Sequence, residues 1–485
     1  MITSERMAMV DRNAVAVDVS RQQLMESAGN AVARAVREMG ASGDAVTVVA
    51  GRGNNGGDAF AATRFLDDRS VTVLLLGRAD RIRSDHARTN WDALQQGAYD
   101  TREVRDSTAL HEGAAGDTIA SADVIVDGIL GTGITGELRE PAASAAARIN
   151  DAPARVVSVD VPSGVNADTG AGAANAVAAD RVVTFHDMKP GLVDLEAEVT
   201  VADIGIPPAA ERFVGPGDLQ ALSRPADAHK GDNGEVLVVG GGPYSGAPAL
   251  AAQAALRGGA DLVRVACPAA VADAIKGYSE NLIVRALPGD HLRPDHVERL
   301  QTLAAEHDSV VLGPGLGRAD ASLKAATDLL ETLDGRVVVD ADPLQVIPGV
   351  DTDAELLCTP HRGELARMGQ ETPDDWRERA DIVGAFAAEL GHTLLVKGPN
   401  DIISDGTDTR INRTGNPGMT VGGTGDVLAG LAGALLATHP PLRAGAIAAY
   451  ANGAAGDRIV DERGYGLLAT DLPPVVAETL WNTDR

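Results

Sequence analysis

The feature that most constrains this fold is a rhythm. Strand-like runs of β-branched and aliphatic residues alternate, along nearly the whole chain, with segments whose apolar residues recur at helical spacing. A strand, a covering helix and a returning strand place successive strands parallel, so the pattern predicts parallel sheets with helices on both faces. In the first half an amphipathic helix is expected over residues 20–39, and strands at 45–50, 70–76, 123–127, 155–160 and 181–184. In the second half strands are expected at 235–240, 261–266, 309–313, 336–340, 356–359 and 392–397, before closing helices at 424–437, 442–460 and 472–481. Between the two series, residues 204–229 break the rhythm with Pro207, Pro208, Gly215, Pro216, Gly217 and Pro225, a composition typical of a domain junction. A chain of 485 residues is too long for one core. The expectation is therefore two α/β domains, 1–217 and 218–485.

Charge narrows the partners. The net charge is −27, about one per 18 residues, and it is spread along the chain rather than held in a tail. Only five lysines occur (Lys189, Lys230, Lys276, Lys324 and Lys397), so 37 of the 42 basic residues are arginine. Such a surface repels nucleic acid and anionic membranes, and suits a cytoplasm of very high salt, where self-repulsion is screened. No uninterrupted apolar run is long enough to span a bilayer, and no secretory pattern opens the chain. Two cysteines, Cys267 and Cys358, are too few for a disulfide framework. A halophilic, cytoplasmic protein is expected.

The loops after the strands carry the chemistry. Gly51-Arg52-Gly53-Asn54-Asn55-Gly56-Gly57-Asp58 satisfies the dinucleotide fingerprint, with glycines that admit a pyrophosphate at a helix N-terminus. The acidic residue that a nicotinamide dehydrogenase places after its second strand is missing, since Gly77-Arg78 stands there. Phosphate binding is expected and hydride transfer is not. Two further loops leave strands, Asp127 to Glu137 and Ser158 to Gly164, and all three gather at the carboxyl edge of a parallel sheet. Asp160 can serve there as a general acid/base, or simply cap a turn. Asn55, Asp127 and Ser163 offer only oxygen, which suits a hard cation rather than zinc.

The second half repeats the arrangement with Gly240 to Pro248, Gly313 to Gly317, Asp340 to Leu344, Thr359 to Glu364 and Lys397 to Asp401, ahead of Gly423-Thr424-Gly425-Asp426 at the start of an apolar helix. Bare amides at a helix N-terminus bind anions. A carboxylate placed among them makes sense if Asp426 takes a proton from a hydroxyl that then attacks phosphorus; otherwise the run is an ordinary glycine-rich cap with an acidic first turn. Lys397 at a strand end can pair with a nucleotide phosphate as a point charge. His361 is either a packing residue of a proline-bounded turn or a ligand contact, with Glu364 holding a Mg²⁺-bound water.

Leu24 to Gly29, Asn54 to Asp58, Asp160-Val161-Pro162-Ser163-Gly164 and Asp203-Ile204-Gly205-Ile206-Pro207, taken in order, resemble the NAD(P)H-hydrate epimerase family over residues 1–210. The resemblance implies a Rossmann-like three-layer domain that interconverts the C6 epimers of hydrated NADH or NADPH. It implies that Asn54, Asn55, Gly56, Gly57 and Asp58, with Gly131, Thr132, Gly133, Ile134, Thr135, Gly136 and Glu137, hold phosphates and sugar. Asp160 would contact the nicotinamide end and move the proton, and Asn55, Asp127 and Ser163 would bind K⁺. Where relatives carry a bulky residue after Pro-Ser-Gly, this chain has Val165-Asn166.

Residues 225–485 are similar to the ADP/ATP-dependent NAD(P)H-hydrate dehydratases, a branch of the ribokinase-like α/β fold. The run from Asn416 to Asp426 and the Thr359–Glu364 segment carry the likeness. It implies that a nucleotide's terminal phosphoryl group is spent to remove the C6 hydroxyl, with Asp426 as base. Ala247, Gly315 and His361 would contact the hydrate, and Lys397, Gly398, Pro399, Asn400, Asp401 and Gly425 the nucleotide. Pro343 replaces a usual alanine and should stiffen its turn. The partners implied are NADHX or NADPHX and ADP or ATP, with a homo-oligomer a further expectation. The competing reading is a ribokinase-like small-molecule alcohol kinase with a fused nucleotide-binding module.

Overall fold

A computed structural model describes residues 1–133 and 136–481. The chain forms two compact units, Met1–Ala210 and Glu211–Arg485. The division falls ahead of the expected 217/218 break. Residues 211–217 pack with the second unit instead: Phe213 bridges to Ile411, the Val214 amide donates to the Ile411 carbonyl at 2.9 Å, and Asp218 just beyond is ion-paired to Arg410 at 2.9 Å.

Among the described residues the first unit holds seven strands: β1 (Ala45–Ala50), β2 (Ser70–Leu76), β3 (Asp100–Val104), β4 (Val124–Gly128), β5 (Arg155–Val159), β6 (Arg181–Phe185) and β7 (Glu198–Ala202). They are all parallel, in the order β3-β2-β1-β4-β5-β6-β7. Alternation sends Val46, Val48 and Ala50 to one core, with Leu24, Ala28, Val32 and Val36 of helix Arg21–Met39, and Val49 to a second core beneath Ile119 and Ile149. Full burial of each large aliphatic side chain contributes about 1.5–3 kcal/mol. Helix Arg21–Met39 starts where Ser20 and Gln23 form a reciprocal capping box. The expected Rossmann-like α/β layering is the one observed.

Among the described residues the second unit holds nine strands: β8 (Glu235–Val239), β9 (Leu262–Pro268), β10 (Ile283–Leu287), β11 (Ser309–Leu312), β12 (Arg336–Val339), β13 (Glu355–Cys358), β14 (Thr393–Val396), β15 (Asp401–Ser404) and β16 (Thr409–Asn412). Their order is β10-β9-β8-β11-β12-β13-β14-β15-β16. Val236 and Val238 face helices Gly246–Gly258, Thr424–Leu436 and Pro441–Arg463, while Leu237 and Val239 face the opposite core with Leu300 and Leu329. The expectation of parallel pairing fails at one edge, where β14, β15 and β16 run antiparallel. Their connections, residues 397–400 and 405–408, are too short for a crossover helix.

In both sheets the strand order reverses once, between β1 and β4 and between β8 and β11. Loops leaving such neighbours diverge to opposite faces and open a crevice at the carboxyl edge. The crevice is narrow at its root: a Cβ on Gly51 would lie 2.0 Å from the Ile129 carbonyl oxygen. In the second unit, helix Thr424–Leu436 is buried continuously from Val427 to Leu436, and a Cβ on Gly430 would stand 1.9 Å from the Ala251 carbonyl oxygen. We expect Gly51→Ala to destabilise the protein by about 2 kcal/mol or more through backbone overpacking, measured as a lower denaturation midpoint with unchanged m-value.

Candidate active sites

In the first unit, the loop after β1 enters helix Asn54–Thr63 with Gly53 as an N-cap that supplies no side-chain hydrogen bond. The orphan amides of the first turn therefore remain available to an anion. Asn55 is buried and its Nδ2 donates to the Leu130 carbonyl at 2.9 Å. Asp127 is fully buried at the end of β4, accepting from Ser163 Oγ at 2.6 Å, Ser163 N at 2.9 Å and Ser158 Oγ at 2.8 Å. Ser163 Oγ in turn accepts from Leu130 N at 2.9 Å. Asn55, Asp127 and Ser163 thus converge on the Leu130 turn and present a set of hard oxygens. Burial pushes the Asp127 carboxyl up, against the pull of its hydrogen bonds from Ser163, Ser158 and Ile129. Gly131, Thr132 and Gly133 continue that turn, and Gly136 and Glu137 are exposed beyond it. Ile134 and Thr135 lie outside the described residues.

Asp160 follows β5 with φ +63°, a left-handed conformation costly for a residue with a Cβ. Its Oδ1 accepts from Thr184 Oγ1 at 3.1 Å and stands 3.0 Å from Lys189 Nζ. Lys189 is wholly buried, and its ammonium also donates to the Phe185 carbonyl at 2.6 Å. Two more carboxyls share this field. Burial, followed by the charges of Asp160 and Asp11, pushes Asp58 well above the usual carboxylate range. Burial raises Asp11 to about 6, with Arg21 pulling the other way. Asp11 sits on helix Ser4–Ala16, which is tied to the Lys189 loop by the Ile2 amide on the Met188 carbonyl at 2.9 Å and by the terminal ammonium on Asp187 at 2.8 Å. Sequence reading passed over both Lys189 and Asp11. Lysine scarcity was the signal for the first. A carboxylate on the same helical stripe as Met7 and Ala14 was the signal for the second.

In the second unit, Gly425 and Asp426 occupy the first turn of helix Thr424–Leu436, and a cavity lies on either side of them. The first, of about 610 Å³, is lined by Ala247, Gly315, Ala341, Gly423 and Asp426 among others. The second, of about 490 Å³, is lined by Lys397, Gly398, Pro399, Asp401, Gly425, Leu428 and Asn452 among others. Asn400 does not line it; its carbonyl accepts from Arg379 at 2.9 Å. His361 lines neither cavity. It is the N-cap of helix Arg362–Arg367, its Nδ1 accepting from Gly363 N at 2.9 Å and Glu364 N at 3.2 Å, while Glu364 Oε2 accepts from the His361 amide at 2.8 Å. Pro343 sits in the first turn of the 3₁₀ helix Asp342–Gly349, where a missing N–H costs no hydrogen bond.

Lys397 joins these parts. Its Nζ lies 2.8 Å from Asp340 Oδ1 and 3.8 Å from Glu364 Oε2, and a Cβ on Gly425 would be 3.4 Å from it. Burial pulls the Lys397 ammonium down, but Asp340, Glu364 and Asp426 outweigh it, and the group ends above its ordinary value. Burial and then the Asp340 charge raise Asp426 to about 7, with Lys397 pulling against them. Three carboxylates therefore share one ammonium. No cluster of three or more acidic, histidine or cysteine side chains among the described residues could hold a metal alone. Hard oxygens in excess of positive charge suit Mg²⁺ arriving with a polyphosphate.

The raised Asp426 carboxyl has a stability consequence. Between its ordinary value of 3.8 and about 7, the folded state keeps a proton that the unfolded chain has lost, so stability falls as pH rises through that window. Asp426→Asn removes this cost. We expect it to be more stable than the parent by about 1–2 kcal/mol at pH 8 and indistinguishable from it near pH 4, measured by chemical denaturation at both pH values.

Residues 236–477 match the family described as NAD(P)H-hydrate dehydratase, and residues 21–191 match the YjeF-related protein N-terminus. The bifunctional NAD(P)H-hydrate repair enzyme of Pyrobaculum aerophilum is 44% identical over 485 residues, covering 97% of this chain and 96% of that protein. The enzyme of the same description from Methanothermobacter thermautotrophicus is 42% identical, covering 98% and 94%. Among solved structures, the ADP/ATP-dependent NAD(P)H-hydrate dehydratase of Bacillus subtilis co-crystallised with ATP and Mg²⁺ is 27% identical, with a TM-score of 0.48, over 55% of this chain and 97% of that one. With near-complete coverage at these identities, and a different family matching each half, this chain belongs to the bifunctional NAD(P)H-hydrate repair enzymes.

Proposed function

We propose that the chain restores damaged nicotinamide cofactors in two steps, each carried by one unit. The first unit equilibrates the C6 epimers of NADHX or NADPHX, and the second dehydrates the S epimer at the expense of ADP or ATP. The observation that carries the reading is the helix terminus at Gly425 and Asp426 with a cavity on each side. One cavity brings a hydroxyl to the base, and the other brings a phosphoryl group to the amides and the Lys397 ammonium. Asp426 takes the C6 hydroxyl proton as the oxygen attacks the terminal phosphorus. The nucleotide leaves one phosphate shorter. Expulsion of inorganic phosphate with loss of a C5 proton then re-forms the C5–C6 double bond.

In this assignment Ala247 and Gly315 form the wall against the hydrate, while His361 positions Glu364 by capping its helix. Lys397, Gly398, Pro399, Asp401 and Gly425 hold the nucleotide, and Asn400, which does not line the cavity, is left out of the set. Mg²⁺ would neutralise polyphosphate charge, with Glu364 as an outer ligand through water. In the first unit, Asn54 to Asp58 and Gly131 to Glu137 hold phosphates and sugar, and Asp160 moves the proton, its charge balanced by Lys189. Asp58, whose carboxyl burial pushes well up, and Asp160, which is paired with Lys189, support this role, because epimerisation at a carbinolamine is helped by an acid and a base in one site. K⁺ would be held by Asn55, Asp127 and Ser163, giving a charged phosphate end a local counter-ion. The dispersed negative charge, scarce lysine and oxygen-only cation site together support work in a cytoplasm rich in K⁺.

The test mixes both NADHX epimers with the full chain, Mg²⁺, high KCl and ADP or ATP, and follows recovery of dihydronicotinamide absorbance. Complete recovery, faster than spontaneous epimerisation, is expected. Recovery halting at the S fraction would reduce the first unit to a binding module. No recovery would favour the alcohol-kinase reading. Asp160→Asn should produce that halt, and Asp426→Asn should lower the rate by at least about 10²-fold. The parent's dehydration rate should climb with pH up to about 7 and then level, since the base must be ionised.

A further inference from the structure

The second cavity of the Glu211–Arg485 unit is lined by a residue whose side chain holds an unanswered hydrogen-bond acceptor. Among the described residues, only one buried side-chain oxygen lacks a partner, Oδ1 of Asn452; the other unpartnered buried atoms are arginine, histidine and tryptophan nitrogens. Asn452 is 5% exposed, projects from helix Pro441–Arg463, and lines the cavity that Lys397 and Gly425 also line. Its polar neighbours on that wall are satisfied within the protein. Asp401 accepts from Gly398 N and Asn412 Nδ2, each at 2.9 Å. Asn416 donates to Asp457 at 2.9 Å and accepts from Gly418 N at 2.9 Å. Thr414 donates to the Tyr450 carbonyl at 3.0 Å. A buried acceptor left alone on an otherwise satisfied wall costs free energy until a ligand answers it.

The orientation of the amide decides which ligand group can do so. Asn452 Nδ2 donates to the Thr424 carbonyl, and reversing the amide would set oxygen against oxygen. The end left over is therefore an acceptor, and the bond that holds the other end is a long one, at 3.5 Å. The surroundings are apolar: Leu428, Ala449, Met419 and Pro417 line the same space. Flat apolar walls with one acceptor suit a purine ring that carries an exocyclic amine. The phosphate-binding elements, Lys397 and the amide of Gly425, belong to the same cavity.

Resting on the nucleotide assignment above, we infer that Asn452 reads the nucleobase: its Oδ1 accepts from the 6-amino group of adenine, and selects 6-aminopurine over 6-oxopurine nucleotides. A 6-oxopurine would bring a carbonyl oxygen to the same point. The acceptor would then stay unpaired beside a second acceptor, a mismatch that buried polar sites reject strongly.

Calorimetric titration of the full chain with ADP, IDP and 2′-deoxy-ADP tests this directly. ADP should bind at least about tenfold more tightly than IDP, and 2′-deoxy-ADP should bind close to ADP. Asn452→Leu should bring the ADP-to-IDP ratio close to one, mostly by weakening ADP, with inorganic pyrophosphate binding unchanged. Equal parent affinities for ADP and IDP would overturn the assignment. So would a ratio that survives in Asn452→Leu, or discrimination that falls on 2′-deoxy-ADP instead of IDP. If Asn452→Leu does not fold, the three parent titrations still decide. NADH recovered equally well with ADP and IDP would sink this inference and leave the dehydratase reading standing. Base-selective ADP binding with no NADH recovered would do the reverse.

Discussion

Both sites in this chain depend on one constraint, the reversal of strand order in a parallel sheet. Where β1 meets β4, and again where β8 meets β11, successive connections must leave on opposite faces. The cleft is thus a product of topology before any side chain is chosen. Sequence then decides what the cleft can hold. Glycine at 51 is required by backbone approach, and polar loops at Asp127, Asp160, Asp340 and Lys397 follow because they terminate neighbouring strands. Oxygen and ammonium groups from segments distant in sequence are gathered at one edge without any long-range design beyond strand order.

Electrostatics sets the second level. Of five lysines, Lys230, Lys276 and Lys324 are exposed, while Lys189 and Lys397 are the two that face carboxylates in the candidate sites. Arginine serves the surface, where its fork pairs with Asp and Glu in open water. A compact ammonium is kept where a point charge must fit beside a buried carboxylate. In both sites the acid outnumbers the base. Burial first, and then the neighbouring carboxylates, push one carboxyl in each site, Asp58 or Asp426, above the range of a free side chain.

Much of this was legible in the chain. The central strands β1 and β2 read directly, because burial on both faces makes them continuous apolar runs. The missed strands were the sheet edges β3, β7, β10 and β16, together with β15, which pairs with β16 at the antiparallel end. The sequences Asp-Thr-Arg-Glu-Val of β3 and Glu-Val-Thr-Val-Ala of β7 are largely exposed and carry little periodic signal. The antiparallel pair β15 and β16 is mostly buried and was hidden for another reason, since each strand has only four residues and carries polar ones. Of the site residues, those on glycine-bearing loops stood out by spacing. Asp11, Lys189 and Asn452 did not, since each lies inside or beside an ordinary helix or turn and gains meaning only from what surrounds it in three dimensions. His361 illustrates the opposite case: a residue conspicuous in sequence whose ring nitrogen is spent on capping the helix that carries Glu364.

The close seating of helix Thr424–Leu436 bears on how the second unit can move. With Gly430 against the Ala251 backbone and ten successive residues buried, that helix has no room to slide or rotate. Its first turn is therefore a fixed anvil. Any tightening of the cleft around bound molecules must come from the loops that meet it, chiefly the turns after β8 and β14, closing onto a stationary end. Groups carried on that turn keep one fixed position relative to the sheet.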